Sequence, residues 1–108
     1  MVEKKNSIEN YKILDEITFN TPEVVSSLFH KKKQLILKKL IKKEMTIYDL
    51  KTDLKMNPGE IRRHILDLLD KGLILHTKVV KNKMGMKLKY YRAKAKNYIV
   101  HLSWGVQA

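Results

Sequence analysis

The chain has 108 residues, with 23 Lys or Arg against 11 Asp or Glu and a formal net charge of +12. That length accommodates one domain with one core, and a hydrophobic content of 44% excludes a wholly disordered basic tail. The absence of Cys excludes a disulfide scaffold, thiolate metal sites and a Cys nucleophile.

Residues 1–7 are polar. Ile8, Tyr11, Leu14 and Ile17 recur every third residue, which predicts a short amphipathic helix over 8–17. Thr21-Pro22 is a helix start, with Thr21 as cap and Pro22 in the first turn, where its missing N–H costs nothing. That helix is expected to reach about residue 29. A longer one follows over 31–43, with Leu35, Ile36, Leu37, Leu40 and Ile41 as a broad apolar face. The intervening lysines form a solvated face.

Thr46 followed by Asp49 three residues later fits a capping box, opening a helix that presents Ile47, Leu50 and Leu54. A turn follows, and Asn57 caps a new helix with Pro58 at its first position. Ile61, Ile65, Leu68 and Leu69 mark its buried face, and Lys71-Gly72 its end. Beyond Gly72 the period changes to that of strands. Residues 73–80 and 86–92 flank a polar turn holding Gly85, which predicts a hairpin. Tyr98-Ile99-Val100-His101-Leu102 reads equally as a third strand or a short helix.

The charge is unevenly spread. Residues 1–54 hold 11 basic and 8 acidic side chains, residues 55–108 hold 12 and 3, and no acidic residue follows Asp70. One-signed charge over the last third of a chain is an electrostatic footprint for phosphates. Two short helices joined by a three-residue turn, then a basic hairpin, make a compact reader of duplex DNA. The major groove admits one helix, braced by the other.

With Ile61 taken as inward, Arg63 lies about 200° around the helix and Gly59 about 160°, both outward, and Arg62 about 100°, on the flank. Arg62 and Arg63 are suited to forking onto guanine or clamping a phosphate. Pro58 and Gly59 bring the backbone near the groove. His64, at the edge of the apolar face, either packs or bonds a phosphate. At the hairpin tip Lys81, Asn82 and Lys83 are candidates for phosphate or minor-groove contact, with Lys87 and, further along the strands, Lys78 and Lys89 extending the patch. Of Tyr90 and Tyr91, on opposite faces of a strand, one is expected in the core and one outside.

Ile61, Arg63-His64-Ile65, Leu68 and Gly72-Leu73-Ile74, with Lys89-Tyr90-Tyr91-Arg92-Ala93 closing the hairpin, resemble the winged helix-turn-helix of ArsR/MarR-like bacterial and archaeal repressors. The resemblance spans about residues 31–95. Lys51 stands where that family favours Ala and Lys55 where it favours Gly, so both join the candidate phosphate contacts. The resemblance implies an α+β, mostly α fold: a three-helix core plus β-hairpin wing, with an extra N-terminal helix. It implies a recognition helix over 57–71 in the major groove and a basic wing over 74–92.

The expected function is sequence-specific binding of double-stranded DNA by a repressor-like transcriptional regulator. The rivals are a non-specific architectural DNA protein and a winged-helix module for protein or RNA. A homodimer is expected, paired through the 8–17 helix and the tail near Trp104. The domain layout follows: an extension over 1–20, the reading domain over 21–95 and a tail over 96–108. His30, His64, His76 and His101 are not spaced as metal ligands, and no nucleophile–base pairing or phosphate loop occurs. Neither metal, cofactor nor catalysis is expected. The longest charge-free run, 97–108, is too short to span a bilayer. Met1-Val2-Glu3-Lys4-Lys5-Asn6 lacks a signal peptide's apolar stretch. The expected location is the cytoplasm, on the nucleoid.

Overall fold

The computed structural model describes residues 12–102. In chain order the elements are β1 (Leu14–Phe19), α1 (Pro22–Phe29), α2 (Lys31–Lys42), α3 (Ile47–Leu54), α4 (Pro58–Asp70), β2 (Ile74–Lys81), β3 (Lys87–Ala93) and β4 (Ala95–Val100).

Local chemistry sets most of these limits. Thr21 occupies the N-cap of α1 in extended conformation, although its side chain makes no capping bond. His30 closes α1 and opens α2, its Nδ1 accepting from the Lys33 N–H. At α3 the Thr46 hydroxyl accepts from the Asp49 N–H and the Asp49 carboxylate accepts from the Thr46 N–H, each at 3.0 Å. This reciprocal pair satisfies two otherwise orphaned donors. Asn57 caps α4 by accepting from the N–H groups of Gly59 and Glu60 at 2.8 and 3.3 Å. The far end of α4 closes in a Schellman motif: Leu73 N–H donates to Leu68 O and Gly72 N–H to Leu69 O, with Gly72 at φ 72°. That positive φ is why a glycine stands there.

Helices α2, α3 and α4 close around Ile36, Leu40, Leu50, Ile61, Ile65, Leu68 and Leu73, all fully buried. The hairpin β2–β3 covers one side of this core. A short antiparallel bridge from Met45, in the loop before α3, bonds to Tyr91 through both backbone groups. Tyr91 is the buried member of the tyrosine pair and Tyr90 is half-exposed.

The expected N-terminal helix is corrected. Leu14–Phe19 is a strand that pairs in parallel with β4, Leu14 opposite Ala95 and Phe19 opposite Val100. Ile17 and Phe19 turn one face inward, and the Phe19 ring stacks on Tyr98 at 6.2 Å. In a strand, residues three apart lie on opposite faces, and Leu14 is accordingly exposed; the β signal is the alternation Ile17-Thr18-Phe19. What decides is the partner strand, which bonds the backbone of β1. Positions 8–11 lie outside the described residues. The run 98–102 forms a strand through Val100, so the segment expected to be a tail is partly built into the fold. Tyr98 anchors it: its hydroxyl donates to Leu73 O and accepts from the N–H groups of Lys94 and Ala95.

Candidate nucleic-acid interface

The α3–α4 connection is three residues long, Lys55 to Asn57. Lys55 reverses the chain in the left-handed conformation, φ 53° and ψ 45°, with its N–H donating to Lys51 O at 2.8 Å. This geometry explains why glycine suits the position. Asn57 and Pro58 then restart the helix.

Burying Ile61, Ile65 and Leu68 turns Gly59, Arg62, Arg63, Leu66 and Asp70 to solvent. Pro58 and Gly59 are exposed at the start of α4, as expected. Lys51 is exposed, and its Nζ stands 5.4 Å from the Tyr48 ring centroid. In the wing, Lys81, Lys83 and Lys87 are exposed. Asn82 builds the turn itself. Its side-chain oxygen accepts from the N–H groups of Met84 and Met86, both at 2.9 Å, and shapes the tip together with Gly85 at φ 81°. Met84 and Met86 project from that tip, Met84 86% exposed.

His64 does not reach the outer face. Its ring lies 4.9 Å from that of His30, and its Nε2 is buried without a hydrogen-bond partner. Burial lowers its pKa below 6.5, and the nearby His30 and Lys33 add to the effect. The neutral form is therefore favoured, and the residue packs where a phosphate contact had been a candidate role. Among the described residues no group of three or more potential ligands is placed to hold a metal.

Tertiary contacts divide the basic residues of the second half into two sets. Lys71 pairs with Asp67 at 2.9 Å, Lys78 with Glu44 at 3.4 Å and Lys96 with Asp15 at 3.8 Å. Arg92 turns inward and donates to the carbonyls of Leu40 and Ile41 at 3.0 and 3.2 Å. It closes the C-terminal end of α2 and takes no part in a surface patch. Lys78, expected to extend the patch, is thus paired with Glu44 within the fold. The other cations of this half, Lys55, Arg62, Arg63, Lys81, Lys83, Lys87, Lys89 and Lys94, form no ion pair among the described residues, and neither does Lys51 on α3.

The acidic residues near α4 are themselves neutralised. A hydrogen bond from Lys32 at 2.7 Å holds the Glu60 carboxyl below its ordinary pKa. Burial acts to raise Asp67, but hydrogen bonds from Lys33, Lys71 and Ser27 outweigh it and hold the carboxyl far below the usual range. Among the described residues, Asp70 alone leaves an unpaired negative charge on the outward face of α4, at its end furthest from Pro58.

A tight helix–turn–helix followed by a two-stranded basic wing defines a winged-helix protein. The transcriptional regulator HlyU from Vibrio vulnificus CMCP6 has a similar fold, with a TM-score of 0.54 at 19% identity over 67% of this chain and 69% of that one. The chain itself belongs to the TFIIE alpha subunit family, whose model matches residues 5–108. The winged-helix fold that the resemblance implied is present, and the family shown is that of the TFIIE alpha subunit, not ArsR or MarR. A search of curated protein sequences found no match.

Two exposed side chains line one cleft with Arg62: Lys89, expected only to extend the patch, and Tyr48, which no motif marks. The alternation Lys87, Lys89, Tyr91 was the available signal, since period two places all three on one strand face. Of the surfaces expected to pair two copies, residues 14–17 lie in β1, and residues 8–11 and Trp104 lie outside the described residues.

Proposed function

We propose that the protein is a DNA-binding transcription factor that discriminates between duplex sequences. In this reading the N-terminal half of α4 enters the major groove and the wing lies along the backbone. The observation that carries it is the set of eight exposed cations on α3, the turn after it, α4 and the wing with no internal ion pair among the described residues, while Lys71, Lys78 and Lys96 are tied to carboxylates. Arg63, on the outward face, is suited to the O6 and N7 acceptors of guanine, and Arg62, on the flank, to a guanine or a phosphate. Lys81, Lys83 and Lys87 supply phosphate contacts, which orient the protein without reading sequence. A homodimer on DNA belongs to the same reading, because one module of this size touches few base pairs.

Fluorescence anisotropy with labelled duplexes across a salt series tests it. Affinity is expected to fall log-linearly with salt, and Lys83→Ala to reduce the slope by about one. On a duplex selected from a random pool, Arg63→Ala is expected to cost about 1–3 kcal/mol and to erode the preference. No binding of any duplex at low salt refutes the proposal.

A second reading has its own observation. Leu66 is 50% exposed on the outward face of α4, between the two arginines and Asp70. An apolar side chain there suits a protein surface better than a groove edge. Under that reading Leu66→Ala weakens assembly with a protein partner, and Arg63→Ala leaves duplex binding unchanged.

A further inference from the structure

Strand β3 alternates, so Lys87, Lys89 and Tyr91 share one face of the wing. In the hairpin register Lys87 lies directly opposite Lys81. Like charges in that relation destabilise a hairpin, and neither ammonium is ion-paired among the described residues. The same face looks across to the flank of α4 and the start of α3. There Arg62 and Tyr48 join Lys87, Leu88, Lys89 and Tyr91 around a cleft of about 230 Å³. Among the described residues no carboxylate lines it. Tyr91, at its floor, has its phenol pushed above the ordinary value of 10.0 by burial, with the Arg62 charge acting in the opposite sense. The phenol is thus a protonated donor at neutral pH.

We propose that this cleft binds one backbone phosphate of the duplex, held jointly by Arg62 from α4 and by Lys87 and Lys89 from the wing. The proposal rests on the DNA-binding reading and names the point at which helix and wing grip the same strand. A phosphodiester fits the donor set. Arg62 offers a planar fork for its two non-bridging oxygens, and the lysines add point charges. The Tyr48 ring borders the cations with a low-polarity wall, which strengthens an ionic contact relative to open water. A phosphate held from both elements fixes the angle of α4 to the groove, so the outward Arg63 meets base edges only in that register. Arg62 is then a backbone-binding residue, and Arg63 carries the base contact.

The test is a scan of duplexes carrying a single neutral methylphosphonate at successive positions, measured against the wild type and the Lys87→Ala/Lys89→Ala double variant. All the substituted side chains are exposed, and circular dichroism checks that the fold is retained. One position is expected to weaken wild-type binding roughly tenfold, as loss of a charge-assisted bond does, and to lose that penalty in the double variant and in Arg62→Ala. A control variant, Lys81→Ala/Lys83→Ala, is expected to keep it. If duplex binds but no position depends on Lys87, Lys89 and Arg62, the clamp is wrong and the DNA-binding reading stands.

If no duplex binds at low salt, that reading falls, and the cleft is judged with inorganic phosphate alone. Amide shifts confined to residues 47–48 and 87–91 that vanish in the double variant retain it as an anion site and place its ligand elsewhere than DNA. Shifts spread over the surface, or none, overturn it.

Discussion

Lys55 is a lysine where the backbone asks for glycine. At φ 53° and ψ 45° a side chain crowds the following carbonyl, a cost of about 1–2 kcal/mol for an L-residue. Replacement by glycine removes that cost but adds freedom to the unfolded chain, worth about 0.5–1 kcal/mol in the other direction. The net expectation for Lys55→Gly is a gain of about 0.5–1 kcal/mol, which in a domain of this size is a rise of about 2–4 °C in Tm. The hydrogen bond from the residue 55 N–H to Lys51 O is a backbone contact and survives the change. Lys55→Ala is the control, because it removes the same charge and keeps the strained conformation. Thermal and urea unfolding followed by circular dichroism compare the three proteins. Both variants are expected to lose the same phosphate contact, so they bind duplex equally less tightly while differing in stability. If Lys55→Gly is no more stable than Lys55→Ala, the strain argument is refuted.

Three further outcomes are expected. Asp67 has its folded pKa depressed below 3.8. The unfolded chain therefore binds the extra proton first, and the stability Asp67 contributes is complete above that value and lost as pH falls below it. Urea melts at successive pH values should show wild type losing stability on acidification more steeply than Asp67→Asn. His64 has its folded pKa depressed below 6.5, so stability should also decline as pH falls through that value. His64→Leu, of similar volume, should flatten this part of the profile. Arg92→Ala removes two charge-assisted bonds to the end of α2, and should cost about 1.5–3 kcal/mol in chemical unfolding. Duplex affinity measured by anisotropy should be unchanged, and Arg92→Lys should recover little, because a lysine lacks the fork that spans both carbonyls.

The features legible in the sequence were those set by near neighbours. The Thr46–Asp49 box, the Asn57-Pro58 start and the Lys71-Gly72 stop each place donors and acceptors within a few residues, and the helix limits follow closely. The inward face of α4 was equally readable, since Ile61, Ile65 and Leu68 lie one turn apart and leave Arg62 and Arg63 outside. The wing emerged from alternation and from a turn holding Asn82 and Gly85. His64 was the ambiguous residue. Its place at the edge of the apolar face left packing and exposure open, and the neighbouring His30, thirty-four positions earlier, decided for packing.

Short-range chemistry thus specifies α2, α3, α4 and the hairpin, and the residue count supplies the excess of positive charge. Two features depend instead on long-range packing. The first is the parallel pairing of β1 with β4, joining Leu14 to Ala95 across most of the chain. Local pattern suits either a helix or a strand at 14–19, and only a distant partner completes the backbone hydrogen bonds of the strand. The second is which cations are free. A charge count treats Arg92, Lys78, Lys83 and Lys87 alike, yet the fold carries Glu44 to Lys78 and the α2 carbonyls to Arg92, and leaves Lys83 and Lys87 facing solvent. Ion pairing acts over a few ångströms, and that proximity is set by packing rather than by order along the chain.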